Sequence, residues 1–194
     1  MSDFVFSAVS GNNSDLLPGI FKIYVKPGNV VADVTYGKGI MWQKIDEAPY
    51  KVLKSDILTG VDFRNLPYED RSINCLILDP PYMNGGLTVK DSINKFYNNK
   101  IVGHEAVVRL YTAGILEASR VIKKNGYIIV KAQDESNNKQ NFTHIKLITM
   151  LDILGWRVVD LFVLIQSGLP AMRHNYQKTA RKNHSYAIVA RFRR

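Results

Sequence analysis

The sequence predicts an α/β fold with a mainly parallel sheet. Strand-like and helix-like segments alternate along its 194 residues, the pattern of βαβ units. The last two strand-like segments have no helix between them, which places a hairpin at one edge of the sheet. No internal repeat, low-complexity segment or linker interrupts the pattern, so residues 1–194 read as a single domain.

The elements follow in order. Residues 14–26 carry Leu16, Leu17, Ile20, Phe21 and Tyr24 at helical spacing, with Ser14 as the expected cap and Pro18 tolerated near the first turn. Pro27-Gly28 ends that helix. Residues 29–34 form a short apolar strand, which runs through a glycine turn into a helix expected over 40–47. Residues 50–56 read as a second strand and 61–63 as a short third. Residues 72–78 form a buried strand ending at Asp79. Residues 83–102 are polar and rich in Gly, Asn and Lys, and read as a loop. A helix is expected over 104–123, with Val107, Leu110, Tyr111, Gly114, Ile115 and Ala118 on one face. Asn125-Gly126 then turns into the strand 127–132. Residues 142–156 read as an amphipathic helix with Phe142, Ile145, Leu147 or Ile148, Leu151 and Leu154 inward. The final strands are 157–165 and 185–192, joined by the polar, basic stretch 166–184.

Bulk properties narrow the function. No apolar run approaches the ~20 residues needed to cross a bilayer, and the N-terminus lacks the pattern of a signal peptide. A soluble, cytoplasmic protein with no membrane partner is therefore expected. The single cysteine, Cys75, excludes an internal disulfide or a cysteine zinc site, and its apolar surroundings predict a buried, inert thiol. The dispersed histidines His104, His144, His174 and His184 show no metal spacing, so no metal is expected. The net charge of +9 suits a polyanionic partner. From Leu161 to the C-terminus there is no Asp or Glu, while Arg173, Lys178, Arg181, Lys182, Arg191, Arg193 and Arg194 all fall there.

Three places carry chemistry. The turn Asp33-Val-Thr35-Tyr36-Gly37-Lys-Gly39 follows a strand, as in nucleotide-like ligand sites of doubly wound folds. It lacks the third glycine of the dinucleotide fingerprint. Asp56 ends the second strand, placed to accept hydrogen bonds from ribose hydroxyls, or else to cap a helix. Asp79-Pro80-Pro81-Tyr82 follows a buried strand directly and is the strongest signal in the chain. Two prolines fix φ and remove N–H donors, so the segment leaves the sheet as a stiff spur. Asp79 and the Pro80 carbonyl are acceptors there, and Tyr82 offers a flat face. That set suits an exocyclic amine of adenine or cytosine, whose lone pair is delocalised into the ring. Two acceptors on its N–H bonds localise the lone pair on nitrogen for attack on an activated methyl group. A base in a duplex must be flipped out to reach such a site.

These motifs resemble the amino-methyltransferases that act on DNA bases, of the N6-adenine and N4-cytosine type. The turn ADVTYGKG resembles that family's cofactor motif, with Val34 and Thr35 in place of its usual Pro-Phe and Tyr36 or Trp42 as aromatic substitutes. The stretch DFRNLPYEDRSINCLILDPPY resembles its passage into the catalytic tetrapeptide, and ARKNHSYAIVARF its last strand. The resemblance implies a Rossmann-like seven-stranded methyltransferase sheet, mostly parallel with a reversed last strand and helices on both faces. It implies S-adenosylmethionine as cofactor and Asp79, Pro80, Pro81 and Tyr82 as catalytic residues. Asp33, Thr35, Tyr36, Gly37 and Gly39 would line the cofactor, Asp33 and the two glycines at its methionine part, Asp56 at its ribose and Asp62 at its adenine amino group. An Asp before Pro-Pro-Tyr leans to adenine N6.

The chain leaves no room for a separate target-recognition domain. Nucleic-acid contacts therefore fall to Lys95 in the first loop and to Arg173, His174, Tyr176, Lys178, Arg181 and Lys182 in the second. A homodimer or a separate specificity partner would supply recognition that these loops lack. Two other readings stand beside DNA methylation: methylation of a base in RNA, and a non-catalytic subunit of a methyltransferase complex. Pairing with a restriction nuclease is left open.

Overall fold

The computed structural model describes residues 4–80, 103–137, 139–166 and 180–193. Its elements are β1 (Ala8–Gly11), α1 (Asn13–Tyr24), β2 (Val30–Asp33), β3 (Lys51–Lys54), β4 (Ile73–Leu78) and α2 (His104–Val121). There follow β5 (Ile122–Ala132), β6 (Glu135–Asn137), β7 (Lys139–Asn141), α3 (Thr143–Ile153), β8 (Trp156–Gln166) and β9 (His184–Phe192). Seven strands form one sheet in the order β1-β8-β9-β5-β4-β2-β3, and β6 and β7 pair separately. Every strand of the main sheet runs parallel to its neighbours except β9, which is antiparallel to both β5 and β8.

The expected reversed last strand is present, but it does not lie at an edge. β1 pairs outside β8 and closes that side of the sheet. The count of seven is also met by a different set. Residues 61–63 form no strand, because the Asp62 carboxylate and carbonyl accept from the Arg64 and Asn65 amides and fold the chain into a turn. β1 takes the seventh place. It is short and rich in small and polar residues, so apolar periodicity does not reveal it.

α1 covers one face of the sheet, while α2 and α3 cover the other. Side-chain alternation sorts the strand residues accordingly. Cys75, Ile77 and Ile129 join Leu16, Leu17, Ile20 and Trp42 on the α1 side. Leu76, Leu78, Ile128 and Val130 join Tyr111, Ile115, Leu147 and Leu151 on the other. Each fully buried Leu or Ile contributes roughly 1.5–3 kcal/mol to that packing. Cys75 is fully buried as expected, and burial, then the Asp33 charge, push its thiol up to about 12.

The helix ends show local chemistry at work. α1 is capped by Asn12 rather than Ser14: Asn12 accepts from the Ser14 amide while Asp15 accepts from the Asn12 amide. Ser14 is instead buried. The helix expected over 40–47 is a single 3-10 turn, Ile40–Trp42. The Asp46 carboxylate accepts from the Ala48 amide, a local bond that competes with helix, and Pro49 follows. On the α3 segment Leu147 and Leu151 are buried and Ile148 and Leu154 pack against the same core, while Phe142 and Ile145 are exposed near its first turn. The turn at Asn125-Gly126 is a bulge inside β5, with Asn125 at φ 65° and the pairing of β4 with β5 shifted between Ile73 and Cys75.

Gly114 sets how closely α2 lies on the sheet. A Cβ there would meet the Phe63 ring at 2.9 Å and Leu78 at 3.1 Å. Gly114→Val is therefore expected to lower stability by ~1–3 kcal/mol through overpacking. A fall in the urea midpoint at unchanged slope checks this; an unchanged midpoint would show that the helix shifts freely.

Candidate active site

The C-terminal ends of β2, β4 and β5 lie side by side, with Asp33 opposite Ile77 and Leu78 opposite Val130. The residues that leave these ends come together on the α1 face. In parallel sheets this is the end at which ligands bind.

Asp33 is buried at the end of β2, and both its oxygens are occupied. The Trp42 indole donates to Oδ2 at 2.7 Å, and the Thr35 amide donates to Oδ1 at 3.0 Å. Burial pushes its carboxyl up to about 6, against the opposing hydrogen bonds from Trp42 and Thr35; the Asp79 charge adds to the rise. Asp33 thus builds the glycine turn from below. Thr35 Oγ1 links the turn to the strand beside it, accepting from the Asp79 amide at 2.8 Å while lying 3.4 Å from Asp33 Oδ1.

The turn itself is left-handed at both glycines, φ 52° at Gly37 and 68° at Gly39. Gly37 donates its amide to Asp56 Oδ2 at 3.1 Å, and Asp56 Oδ1 accepts from the Leu58 amide at 2.9 Å. Asp56 therefore ties the end of β3 to the glycine turn and caps the 3-10 turn Ile57–Thr59. Among the described residues, a Cβ on Gly37 would meet only the Thr35 carbonyl, at 3.9 Å. A Cβ on Gly39 would strike the Tyr36 hydroxyl at 2.5 Å. Tyr36 lies over this glycine, with the Lys54 ammonium 5.0 Å from its ring centre. Asp62 is gripped by the Arg64 guanidinium at 2.6–3.0 Å. Burial pushes the Asp62 carboxyl up, but the Arg64 hydrogen bonds outweigh it and the net shift is down.

Asp79 leaves β4 with a side chain 18% exposed, followed by buried Pro80. The ammonium of Lys131, at the end of β5 and fully buried, lies 3.3 Å from Oδ2 and 3.5 Å from Oδ1. Burial raises the Asp79 carboxyl, and Lys131 opposes the rise. Sequence reasoning missed Lys131. Its one signal was a lone lysine inside an otherwise apolar strand end.

A second group beside the site was also unforeseen. His144 Nδ1 is 2.7 Å from buried Asp134, its ring stacks on Tyr186 at 4.0 Å, and the Tyr186 hydroxyl is 3.1 Å from His184 Nε2. His104 Nδ1 lies 3.5 Å from Glu135. Three of the four dispersed histidines thus gather just beyond the end of β5. Among the described residues no group of His, Cys, Asp or Glu is arranged to hold a metal. Arg181 and Lys182 lie just before β9, half-buried, with the Lys182 ammonium 5.8 Å from the Phe142 ring centre. Pro81, Tyr82, Lys95, Arg173, His174, Tyr176 and Lys178 lie outside the described residues.

No family model matches the chain, and no curated protein matches it. Solved structures do. An S-adenosylmethionine-dependent methyltransferase from Methanosarcina mazei superposes with a TM-score of 0.56 at 14% identity, over 90% of this chain and 97% of its own. TrmN from Thermus thermophilus gives 0.59 at 14% identity, over 92% of this chain and 48% of its own. The fold is that of the S-adenosylmethionine-dependent methyltransferases. The (4+2)-cyclase SpnF matches nearly as well, with a TM-score of 0.54 at 15% identity over 93% of this chain and 80% of its own. The reaction must therefore be argued from the site. No helix among the described residues is long and apolar enough to cross a membrane.

The buried Asp33 carboxyl gives a pH test of the site's foundation. Its folded value, about 6, lies above the ordinary 3.8, so the folded chain holds this proton more tightly. The resulting stability is fully present below the ordinary value and is lost as the pH rises through about 6, on the order of 3 kcal/mol. Asp33→Asn should remove that part of the pH dependence. Urea unfolding of both proteins between pH 4 and 7 checks it, and parallel stability profiles would contradict a perturbed Asp33.

Proposed function

We propose that this chain transfers a methyl group from S-adenosylmethionine to the exocyclic amino group of a base in DNA, with adenine N6 as the target and the base flipped out of the duplex. The observation that carries the reading is the placement of Asp79-Pro80. The half-buried Asp79 leaves β4 beside the glycine turn, its amide hydrogen-bonded to Thr35 of that turn. An acceptor for the amine and a cradle for the methyl donor are thus fixed to each other by one hydrogen bond.

The residues present fit the donor. The space that the described residues leave beside Gly37 and the partly exposed Asp56 carboxylate form a cradle whose walls are set by buried Asp33 and Trp42. When bound, S-adenosylmethionine supplies an activated methyl group, so no covalent enzyme intermediate is needed. The protein's part is alignment and electrostatics. Asp79 and the Pro80 carbonyl accept the two amine hydrogens, which draws the nitrogen lone pair out of the ring. Tyr82 stacks on the flipped base. Lys95, Arg173, His174, Tyr176, Lys178, Arg181 and Lys182 contact the nucleic acid, the cations at phosphates and the rings at bases.

Mass spectrometry of nucleosides from DNA and RNA incubated with the protein and S-adenosylmethionine tests this directly. N6-methyladenine in DNA is expected. A methylated nucleoside in RNA alone would move the substrate to RNA, and no product in either would sink the reading. Asp79→Ala should lower methyl transfer by roughly a hundredfold or more while cofactor affinity stays within a few-fold. Full activity in that variant would refute the mechanism. Replacing Arg173, Lys178, Arg181 and Lys182 by Ala should weaken DNA binding and flatten its dependence on salt, since each phosphate contact adds roughly 0.9 to the log–log slope. An unchanged slope would remove that segment from the interface.

A further inference from the structure

Lys131 is the one fully buried lysine among the described residues, and nothing in the functional reading above uses it. Its register explains its position. Leu78 pairs with Val130, so the next residues of the two strands, Asp79 and Lys131, stand side by side. Leu78 and Val130 face α2 and α3, so alternation turns Asp79 and Lys131 to the α1 face, the side of Asp33 and Trp42. The ammonium sits almost evenly across the two Asp79 oxygens, at 3.3 and 3.5 Å. The backbone beneath it is fixed as well, because the Tyr111 hydroxyl donates to the Lys131 carbonyl at 2.7 Å.

An ammonium in this place costs free energy that a methionine or leucine would not. The Asp79 carboxylate that it faces offsets part of that cost. Among the described residues, the charged groups facing Asp79 are Asp33 from β2, which repels it, and Lys131 from β5, which attracts it. We propose that Lys131 is a positioning residue for methyl transfer, whose buried ammonium holds the Asp79 carboxylate charged and turned to accept an amine N–H. The proposal rests on the functional reading above and deepens it. Burial favours a proton on Asp79, and Lys131 opposes it. A protonated Asp79 would offer a donor where the amine needs an acceptor. Thr35 fixes the Asp79 main chain and Lys131 fixes its head group, so the acceptor is held at two points.

The test titrates the pair in the full chain by carboxyl carbon and lysine nitrogen NMR. In Lys131→Met, Asp79 should titrate about one pH unit or more above its wild-type value; in Lys131→Arg it should stay near wild type. Reciprocally, in Asp79→Asn the Lys131 ammonium should titrate about one unit or more lower. This second variant decides the matter alone if Lys131→Met does not fold. Unshifted titrations overturn the proposal. In kinetics, the acid limb of kcat should move up by a similar amount in Lys131→Met while the KM for S-adenosylmethionine stays within a few-fold. An unmoved acid limb, or a loss confined to cofactor KM, would also overturn it. A wild-type chain that methylates no nucleic acid would sink the functional reading instead, while shifted titrations in that chain would keep Lys131 as the clamp of Asp79.

Discussion

Asp33 carries more of this site than its position at the end of a four-residue strand suggests. Its carboxylate is out of water, and both oxygens are spent on neighbours, one on the Trp42 indole and one on the Thr35 amide. The indole bond draws Trp42, with Met41 beside it, inward against α1. The Thr35 contact orients the hydroxyl that receives the Asp79 amide. Remove the carboxylate, and the turn, the 3-10 segment and the start of the Asp79 spur lose their common anchor. A buried carboxylate is costly unless its lone pairs are used, and here each partner is also a part of the site.

The same strand ends concentrate charge. Two carboxylates, Asp33 and Asp79, and one ammonium, Lys131, lie on a single face, with the ammonium paired to the second acid. The arrangement separates two carboxyls of similar chemistry by environment. One is enclosed and structural. The other is partly open and paired with a cation.

Much of this was legible beforehand, for identifiable reasons. Buried strands reveal themselves by apolar runs, so β2, β4, β5, β8 and β9 were found within a few residues. Asp79 was legible because a carboxylate and two prolines at the end of such a run have few structural explanations. Gly37 and Gly39 were legible because left-handed backbone favours glycine. Most of what escaped was decided by contacts distant in sequence. β1 exists because its backbone pairs with β8, some 150 residues away. The helix after the glycine turn stops at one 3-10 turn, ahead of the Asp46 bond to the Ala48 amide and Pro49. Lys131 resembled any lysine closing a strand, since its meaning depends on a register that only the sheet supplies. The histidines looked scattered because the chain returns to the end of β5 three separate times.

The reversed strand has a consequence for how such a protein can diversify. Because β9 runs against its neighbours, the connection from β8 to β9 begins and ends beside the carboxyl ends of the parallel strands. Its two feet are pinned where the Gln166 amide meets the Asn183 carbonyl. Closing a longer connection across fixed feet costs only about 0.6 kcal/mol per doubling of its length. The sheet thus holds both ends of this connection at the same end as Asp33 and Asp79. Segments of differing length and charge can be exchanged there without altering a single strand pairing.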